Sequence, residues 1–231
     1  MPTVLITGAN RGIGLELSHQ YLTLGFKVIS TCRLVDNATQ LQTLKERFQN
    51  TLQILELDLL SEDSIKNFHK LIHNLPIDIF ISNAGVYGPR NFSLGNITSE
   101  DWINVLKINT ISPLLLTQQI LENIKLGQEK KVIFISSKVG SIKENTGGGV
   151  YAYRSSKTAL NQVVKSLSID LKSDKIAAFS IHPGWVKTDM GGPNANIDTK
   201  TSVAGMIQVI SNLTIKDTGS FFNYDGEVIA W

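Results

Sequence analysis

The chain has only one cysteine, Cys32, among its 231 residues, so no internal disulfide can form and a small disulfide-stapled secreted fold is excluded. No apolar run approaches the roughly 18 residues that cross a bilayer, and residues 1–7 lack the basic start and long apolar core of a signal peptide. Lysine and arginine (22) hardly outnumber aspartate and glutamate (20), and no block of like charge occurs. We therefore expect a cytoplasmic protein that binds neither nucleic acid nor membranes.

The composition that remains is that of an ordinary folded domain. Hydrophobic residues make up 42% and charged residues 18% of the chain, a balance that argues against disorder. The length suits one sizeable α/β domain and is short for two, so we expect a single domain over 1–231. Asn-x-Ser/Thr triplets begin at Asn91, Asn96 and Asn212, and we interpret them as coincidences of composition because no secretion is expected.

Short apolar runs alternate with longer segments of helical periodicity. Runs such as 4–6 and 132–135 are apolar throughout, which is typical of strands covered on both faces. Repeated strand–helix alternation predicts a Rossmann-like, doubly wound parallel α/β sheet of about seven strands with helices on both faces. The predicted strands are 3–7, 27–32, 52–56, 77–82, 131–136, 177–182 and a weak one near 220–222. The predicted helices are 12–24, 38–49, 62–74, 99–125, 152–172 and 200–212.

A glycine-rich loop joins the first predicted strand to the first predicted helix, with the spacing Gly8-x-x-x-Gly12-x-Gly14. Glycine permits a tight turn and lets the backbone approach a phosphate closely. The helix that follows presents free N–H groups and the positive end of its dipole to a pyrophosphate. Because ligands of such sheets bind beyond the carboxyl ends of the strands, we predict a dinucleotide site here. The alternative is a glycine-rich turn that merely starts a helix.

The end of the second strand bears on which dinucleotide is bound. An acidic residue there binds the ribose of NAD, whereas a cation suits the 2′-phosphate of NADP. Here the acid is absent, Arg33 follows the strand directly, and Arg11 of the glycine loop could flank the same phosphate. We predict NADP(H), with two solvated arginines as the alternative, and expect Asp36 to lie too far along to replace the acid. Asp58, after the third strand, either binds an adenine amino group or caps the next helix.

Tyr153 and Lys157 lie four residues apart at the start of the predicted 152–172 helix, so their side chains share one face. A phenol titrates near roughly pH 10, and a neighbouring ammonium favours its ionised form. The pair is therefore predicted to move a proton, which Tyr153 would donate to a developing alkoxide in the direction of reduction. Lys157 could also bind a cofactor ribose. Tyr151 is a poorer candidate because a serine, not a lysine, stands four residues after it.

Two further polar residues are candidates for the same site. Ser137 follows the fifth strand, where its hydroxyl could bind a substrate oxygen and orient the tyrosine, and Ser136 competes for that role. Asn109 lies within the predicted 99–125 helix, although asparagine is a mediocre helix former. We interpret Asn109 as a residue that breaks the helix locally and holds a water in a proton path, with a polar surface residue as the alternative.

Taken together, these residues resemble the short-chain dehydrogenase/reductase family over essentially the whole chain. The segment 7–14 matches the family's Thr-Gly-x-x-x-Gly-x-Gly loop, and 83–85 matches its Asn-Ala-Gly motif. The segment 183–188 matches the Pro-Gly-x-Val/Ile-x-Thr motif that cups the nicotinamide in the family. In the family the catalytic serine lies three residues before a glycine, and Gly140 satisfies this for Ser137. The residues that match the catalytic tetrad are Asn109, Ser137, Tyr153 and Lys157.

The resemblance implies that the N-terminal part of the domain binds NADP(H) and that the C-terminal part binds the substrate. The cofactor-binding residues that it implies are Gly8, Asn10, Arg11, Gly12, Ile13, Gly14, Arg33, Asp58, Leu59, Asn83, Ala84, Gly85, Tyr153, Lys157, Pro183, Gly184, Val186 and Thr188. We expect no metal site, because His69 and His73 have a helical spacing but no third ligand nearby. We expect His182 to support the cofactor segment and Cys32 to be a buried side chain near the adenosine pocket.

Three segments narrow the likeness to the sniffer-type carbonyl reductases and the bacterial C-factor group, namely 145–154, 182–192 and 223–226. Arg33 resembles the NADP-selecting arginine of the carbonyl reductases. This branch implies NADPH-dependent reduction of a small-molecule carbonyl substrate, which is an aldehyde, a ketone or a quinone. The alternatives are a signalling or redox-sensing protein that binds NADP(H) and an alcohol dehydrogenase that works oxidatively.

The chain departs from many family members on the substrate side. The gap between Ser137 and Tyr153 is lengthened by Gly147-Gly148-Gly149, and the segment after Thr188 is short, so we expect an open pocket that tolerates varied carbonyl compounds. The resemblance also implies a homodimer, with a tetramer as the alternative, built on the predicted helices 99–125 and 152–172. Apolar residues that could serve that interface, or could face the sheet instead, are Leu114, Leu115, Leu116, Leu160, Val163, Val164 and Leu167.

Overall fold

The computed structural model describes residues 1–90 and 94–231, so the triplet that begins at Asn91 lies outside the described residues. Seven parallel strands form one sheet, which confirms the predicted fold class. The strands are β1 Thr3–Ile6, β2 Lys27–Cys32, β3 Leu52–Glu56, β4 Ile79–Ser82, β5 Lys131–Ile135, β6 Ala177–His182 and β7 Phe221–Asn223. The helices are α1 Gly12–Thr23, α2 Thr39–Arg47, α3 Glu62–Leu71, α4 Ser99–Leu106, α5 Ser112–Gln119, α6 Leu121–Leu126, α7 Tyr151–Asp170 and α8 Thr199–Asn212.

The strand order β3-β2-β1-β4-β5-β6-β7 reverses direction between β1 and β4. Side chains that follow these two strands border the crevice that such a reversal opens. The register aligns Ile6 with Ile81 and Ile135 with Ile181, so the loops after four strands emerge at one edge of the sheet. This edge is where the sequence motifs after β1, β4, β5 and β6 come together.

Two apolar cores lie on opposite faces of the sheet. Leu17 and Met206, from α1 and α8, pack with Val4 and Ile6 on one face. Phe68 and Leu160, from α3 and α7, pack with Leu5 on the other. Because successive side chains of a strand point to opposite faces, strands buried on both sides carry the continuous apolar runs from which they were predicted.

The predicted 99–125 helix is wrong as a continuous element. It consists of α4, a π-helical turn over Lys107–Ile111, α5 and α6. The predicted local break at Asn109 is confirmed, and the Asn109 amide bonds the backbone of Val86 in a neighbouring loop. A second break, at Ile120, was not predicted. Such π-turns occur frequently at functional sites.

The apolar residues considered for an interface divide into two groups. Leu116, Leu160 and Val164 are buried in the core beneath the sheet, so they do not form an outer surface. Leu114 and Val163 remain partly exposed, as do Leu115 and Leu167, which pack against the same core. Among the described residues, no helix is both long and apolar enough to cross a membrane.

Candidate active site

The glycine loop after β1 is packed directly against the segment after β4. Gly8 has a φ of +65°, and a Cβ there would lie 2.9 Å from the Cα of Ala84. A Cβ on Gly14 would lie only 2.3 Å from the carbonyl oxygen of Gly8. The Asn83 amide donates hydrogen bonds to the carbonyl oxygens of Thr7 (2.9 Å) and Gly8 (3.1 Å). Side chains are therefore excluded from the loop by backbone contacts, which is the condition for a backbone cradle.

The N-terminus of α1 leaves its first backbone N–H groups without a side-chain cap. Arg11 is the N-cap residue, it makes no capping hydrogen bond, and the first turn contains no acidic residue. The helix thus keeps its positive end for an outside acceptor, and an anionic pyrophosphate fits this geometry. The glycine loop therefore has the geometry expected of a phosphate-binding loop, and its contact with a cofactor stays a prediction.

A cleft of about 700 Å³ runs along the carboxyl edge of the sheet. Most of the predicted cofactor residues line it, and these are Gly8, Asn10, Arg11, Gly12, Ile13, Gly14, Arg33, Asp58, Leu59, Asn83, Ala84, Gly85, Tyr153, Lys157, Pro183 and Thr188. Gly184 and Val186 do not contribute to its wall. The side chain of Val186 is buried, and Gly184, with a φ of +83°, packs against Ile197 and Tyr224.

Arg33 and Arg11 both line the cleft, but their surroundings differ. Arg33 is exposed at the end of β2, and within the described part of the chain its guanidinium has no hydrogen-bond or ion-pair partner. The Arg11 guanidinium forms an ion pair with the Asp189 carboxylate, which comes from the loop after β6. Arg90 also reaches this loop, donating to the Asp189 carbonyl oxygen at 2.9 Å. Arg33 therefore retains its full charge toward the cleft, whereas that of Arg11 is partly compensated.

The alternative that Asp58 caps α3 is wrong. The cap of α3 is Ser61, whose hydroxyl accepts a hydrogen bond from the Ser64 N–H at 3.1 Å. Asp58 instead accepts from the Leu60 N–H at 2.9 Å while it lines the cleft. Its second carboxylate oxygen is consistent with the predicted contact to an adenine amino group.

Tyr153 and Lys157 line the cleft, and Ser137 lies next to Tyr153. The Ser137 hydroxyl lies beside the Tyr153 phenol and acts to lower its pKa. The Lys157 ammonium lies 5.8 Å from the centre of the Tyr153 ring and donates to the Ile135 carbonyl oxygen at 2.8 Å. Lys157 is only 4% exposed. The helical spacing that was predicted to bring the pair together therefore does so.

Burial sets the protonation of this pair. It raises the pKa of Tyr153 to about 12, an effect that the Ser137 hydroxyl opposes and the Tyr87 phenol adds to. Burial also lowers the pKa of Lys157 to about 8. At neutral pH the phenol therefore holds its proton and the amine is still largely charged. The arrangement suits a proton donor with a cation beside it.

The choice between Ser136 and Ser137 is decided by their partners. The Ser136 hydroxyl donates to the Asn161 side-chain oxygen at 2.6 Å inside the protein. Ser137 instead faces Tyr153 and caps the short turn Lys138–Gly140, accepting from the Val139 N–H at 3.4 Å. Ser136 also lines the cleft, but its hydroxyl is bonded to Asn161, whereas Ser137 contacts Tyr153, so the contacts favour Ser137.

Asn109 is 1% exposed, so the alternative of a polar surface residue is wrong. Its side-chain oxygen accepts from the Val86 N–H, and its amide nitrogen donates to the Val86 carbonyl oxygen, both at 2.8 Å. The amide also donates to the Ser156 hydroxyl at 3.0 Å. Asn109 thus joins the π-turn, the loop after β4 and α7.

Sequence reasoning missed several residues of this region. Tyr87 packs against Tyr153 in a tilted arrangement, with ring centroids 4.9 Å apart and planes inclined by 34°. The only sequence signal for Tyr87 was its place shortly after the 83–85 motif. Further unpredicted lining residues include Asn37 and Gln40 near Arg33, and Asp189 and Met190 after β6. Polar side chains in the turn after β2 were an available signal for the first two.

The remaining candidate residues are Cys32 and three histidines. Cys32 is buried at the cleft wall, as predicted. The His182 Nδ1 atom is buried without a hydrogen-bond partner in the described chain, and burial lowers the pKa of His182 to about 4. His69 and His73 bond only neighbouring groups on α3 and just after it. No cluster of three metal-ligating side chains occurs in residues 1–90 and 94–231.

The fold and the cleft are those of a Rossmann-type oxidoreductase. The model of the short chain dehydrogenase family matches residues 2–198, and the chain belongs to this family. The carbonyl reductase Sniffer of D. melanogaster is 37% identical, with a TM-score of 0.92 over 100% of both chains. An NADPH-bound carbonyl reductase from chicken fatty liver is 36% identical, with a TM-score of 0.93 over 100% of this chain and 99% of that one. The C-signal protein of Myxococcus xanthus is 42% identical over 156 residues, covering 68% of this chain and 93% of its own.

Proposed function

We propose that the protein is an NADPH-dependent carbonyl reductase that reduces aldehydes, ketones or quinones, with Tyr153 as the proton donor. The observation that carries the proposal is the placement of Tyr153 in the cleft beside Ser137, with the Lys157 ammonium 5.8 Å from the centre of its ring. The likeness to two carbonyl reductases, one of them NADPH-bound, supports the same activity.

The cleft provides complementary groups for NADPH along its length. The glycine loop and the uncapped N-terminus of α1 would hold the pyrophosphate. Arg33 would bind the 2′-phosphate with its planar guanidinium, and Asp58 would accept from the adenine. Thr188 and Pro183 would border the nicotinamide, and Lys157 its ribose. When bound, the cofactor supplies the hydride that the carbonyl carbon receives.

The chain itself handles the proton. Tyr153 donates its phenolic proton to the carbonyl oxygen as negative charge develops there, and the Ser137 hydroxyl holds the same oxygen in line. The Lys157 ammonium stabilises the phenolate that is left behind. The Asn109 oxygen has one lone pair beyond its bond to Val86, and this is the group through which a water-linked path would return a proton.

The test is to follow NADPH absorbance with a panel of aldehydes, ketones and quinones in wild-type protein and Tyr153→Phe. We expect turnover by the wild type and a loss of about 10²- to 10⁴-fold in kcat for the variant, with the Kd for NADPH nearly unchanged. Tyr151→Phe, a change at an exposed tyrosine of the same helix, is the matched control and should keep full activity. Undiminished turnover by Tyr153→Phe would contradict the proposal.

Two alternatives make different predictions. The 42% identity to the C-signal protein favours a signalling or redox-sensing role as the second candidate. Tight NADPH binding without turnover of any panel member, in wild type and Tyr153→Phe alike, would support that candidate. An oxidative alcohol dehydrogenase would use Tyr153 as a base instead of a proton donor. The initial rates of oxidation and reduction at pH 7 separate these two directions.

The proposal includes a homodimer that uses the outer faces of α4, α5 and α7. Leu114 and Val163 are partly exposed there and would be buried by a partner. Light scattering measures the mass directly, and a monomer across micromolar concentrations would remove this part of the proposal.

A further inference from the structure

Tyr87 forms the aromatic contact of Tyr153, with the two ring centroids 4.9 Å apart. No other aromatic ring of the described chain forms such a pair with Tyr153, and the Lys157 ammonium is the charged group beside it. The phenol of Tyr153 turns about two side-chain torsions, so a ring packed against it limits where its oxygen can point. Aromatic pairs of this kind contribute an interaction beyond simple area burial.

The loop that carries Tyr87 is held on both sides of the residue. Before it, both backbone polar groups of Val86 are bonded to the Asn109 side chain at 2.8 Å. After it, Gly88 has a φ of +84°, and a Cβ there would lie 2.8 Å from a methyl group of Val105. The Tyr87 ring is therefore presented to Tyr153 by a constrained backbone and not by a freely moving loop.

We infer that Tyr87 is a positioning residue for proton transfer, whose ring fixes the orientation of Tyr153 and shields it from water. This inference rests on the proposed reductase function. It also gives Asn109 a route to the reacting group, because Asn109 fixes Val86 and Val86 precedes Tyr87. Since burial is the main cause of the raised pKa of Tyr153, removal of the Tyr87 ring should bring that pKa down toward its ordinary value.

The test compares Tyr87→Phe, which keeps the ring, with Tyr87→Leu, which removes it. Tyr87→Phe should keep kcat within about threefold of wild type, whereas Tyr87→Leu should lower it about tenfold or more, because misplacement of a catalytic group is costly. The Kd for NADPH and the melting temperature should change little in either variant. Tyr151→Leu, at an exposed tyrosine, is the control for a general effect of losing a ring.

A second measurement does not depend on turnover. Tyrosinate absorbance is titrated in wild type, Tyr87→Leu and the double variant Tyr87→Leu/Tyr153→Phe. We expect a tyrosine that ionises closer to pH 10 in Tyr87→Leu and is missing from the double variant. This result would stand even if the wild type reduced no carbonyl, so failure of the reductase proposal is distinguishable from failure of this one.

Wild-type kcat together with an unshifted titration in Tyr87→Leu would overturn the inference. If NADPH affinity and the melting temperature fell together with kcat in Tyr87→Leu, the inference would also be overturned. That result would show a merely structural role for Tyr87. If Tyr87→Leu does not fold, Tyr87→Met offers a milder loss of the ring with the same two expected results. The double variant Asn109→Ala/Tyr87→Leu should lower kcat by less than the two single effects combined. The reason is that both changes act on one contact.

Discussion

Two glycine-rich segments precede α1 and α7, the helices that carry Ile13 and Tyr153, and their glycines are needed for different reasons. In the loop after β1, a Cβ on Gly14 or Gly8 would collide with backbone atoms at 2.3 and 2.9 Å. In the segment before α7, a Cβ on Gly148 or Gly149 would meet nothing within 4 Å. There only the backbone requires glycine, because Gly148 and Gly149 have φ values of +61° and +63°. The conformation of the first segment is therefore set by the atoms packed against it. That of the second is set only by its own backbone turns.

The two segments also differ in what surrounds them. A cradle for a constant pyrophosphate is built by tight packing that allows one shape. The segment before α7 is exposed and is tied mainly by Arg154, which donates to the Gly148 carbonyl oxygen at 3.0 Å, and by the Asn145 side chain. Gly148 and Gly149 line a separate pocket with Trp102 and not the cleft, so the open substrate pocket expected from the sequence stays a prediction.

The largest expected effect is that of Gly14→Ala. The added methyl group has to displace the Gly8 carbonyl or the Asn83 amide, so the loop must open. We expect the Kd for NADPH to rise at least about 100-fold and the melting temperature to fall by several degrees, as overpacking costs about 1–3 kcal/mol. Titration of protein fluorescence and a thermal melt measure both. Unchanged NADPH affinity would break the comparison, because it would show that the loop has room to spare.

Lys157→Met tests how burial of the Lys157 ammonium affects the free energy of unfolding. Burial lowers the pKa of Lys157 to about 8, below its ordinary value of 10.5, so the folded protein releases this proton more readily than the unfolded chain does. Burying the charge therefore destabilises the fold in full below pH 8, and this cost disappears as the pH rises toward 10.5. Lys157→Met should raise the free energy of unfolding by roughly 2–3 kcal/mol at pH 7 and not at pH 10, while activity is lost.

The control for that experiment is Lys165→Met, at an exposed lysine of the same helix. It should show no such dependence on pH in urea unfolding followed from pH 6 to pH 10. A stability gain for Lys157→Met that stayed constant over this range would contradict the assigned burial effect.

The next largest effect is expected on NADPH binding when Arg33 or Arg11 is replaced. Arg33→Ala should weaken NADPH binding about 10- to 100-fold and leave NADH binding nearly unchanged, because a charge-assisted hydrogen bond contributes roughly 1.5–3 kcal/mol. Arg11→Ala should have a smaller effect, since its guanidinium is already paired with Asp189. Calorimetric titration of NADPH and NADH into each variant measures the two changes in Kd. A larger loss in Arg11→Ala than in Arg33→Ala would reverse the assignment of the 2′-phosphate site.

The smallest expected effect is on stability, in the segment before α7, where only some glycines have a positive φ. Gly149→Ala places a Cβ at a positive φ and should cost about 1–2 kcal/mol of stability, with little change in NADPH affinity. Gly147→Ala is the matched control, because Gly147 has no positive φ and its Cβ would approach only Arg154, at 3.8 Å. Equal melting temperatures of the two variants would show that the backbone turn is not what the segment requires.

Much of this architecture was predictable because it rests on local patterns. Continuous apolar runs indicated buried strands, and glycine spacing and the Tyr153–Lys157 interval indicated the two ends of the cleft. The pair between Arg11 and Asp189 joins residues 178 positions apart, and no local signal reveals it. Tyr87 likewise gains its role only from the approach of the loop after β4 to α7. The break at Asn109 was foreseen from helix propensity, but its partner Val86 depends on the folded arrangement.

The most direct test of the account follows a labelled hydride. Wild type and Tyr153→Phe are each incubated with NADPH carrying deuterium at the transferable position of the nicotinamide, together with a carbonyl compound that the panel has shown to be a substrate. Mass spectrometry should find one deuterium on the carbinol carbon of the wild-type product and almost no product from the variant. Alcohol formed without the label, or labelled alcohol formed equally well by Tyr153→Phe, would contradict the proposal of a reductase with Tyr153 as its proton donor.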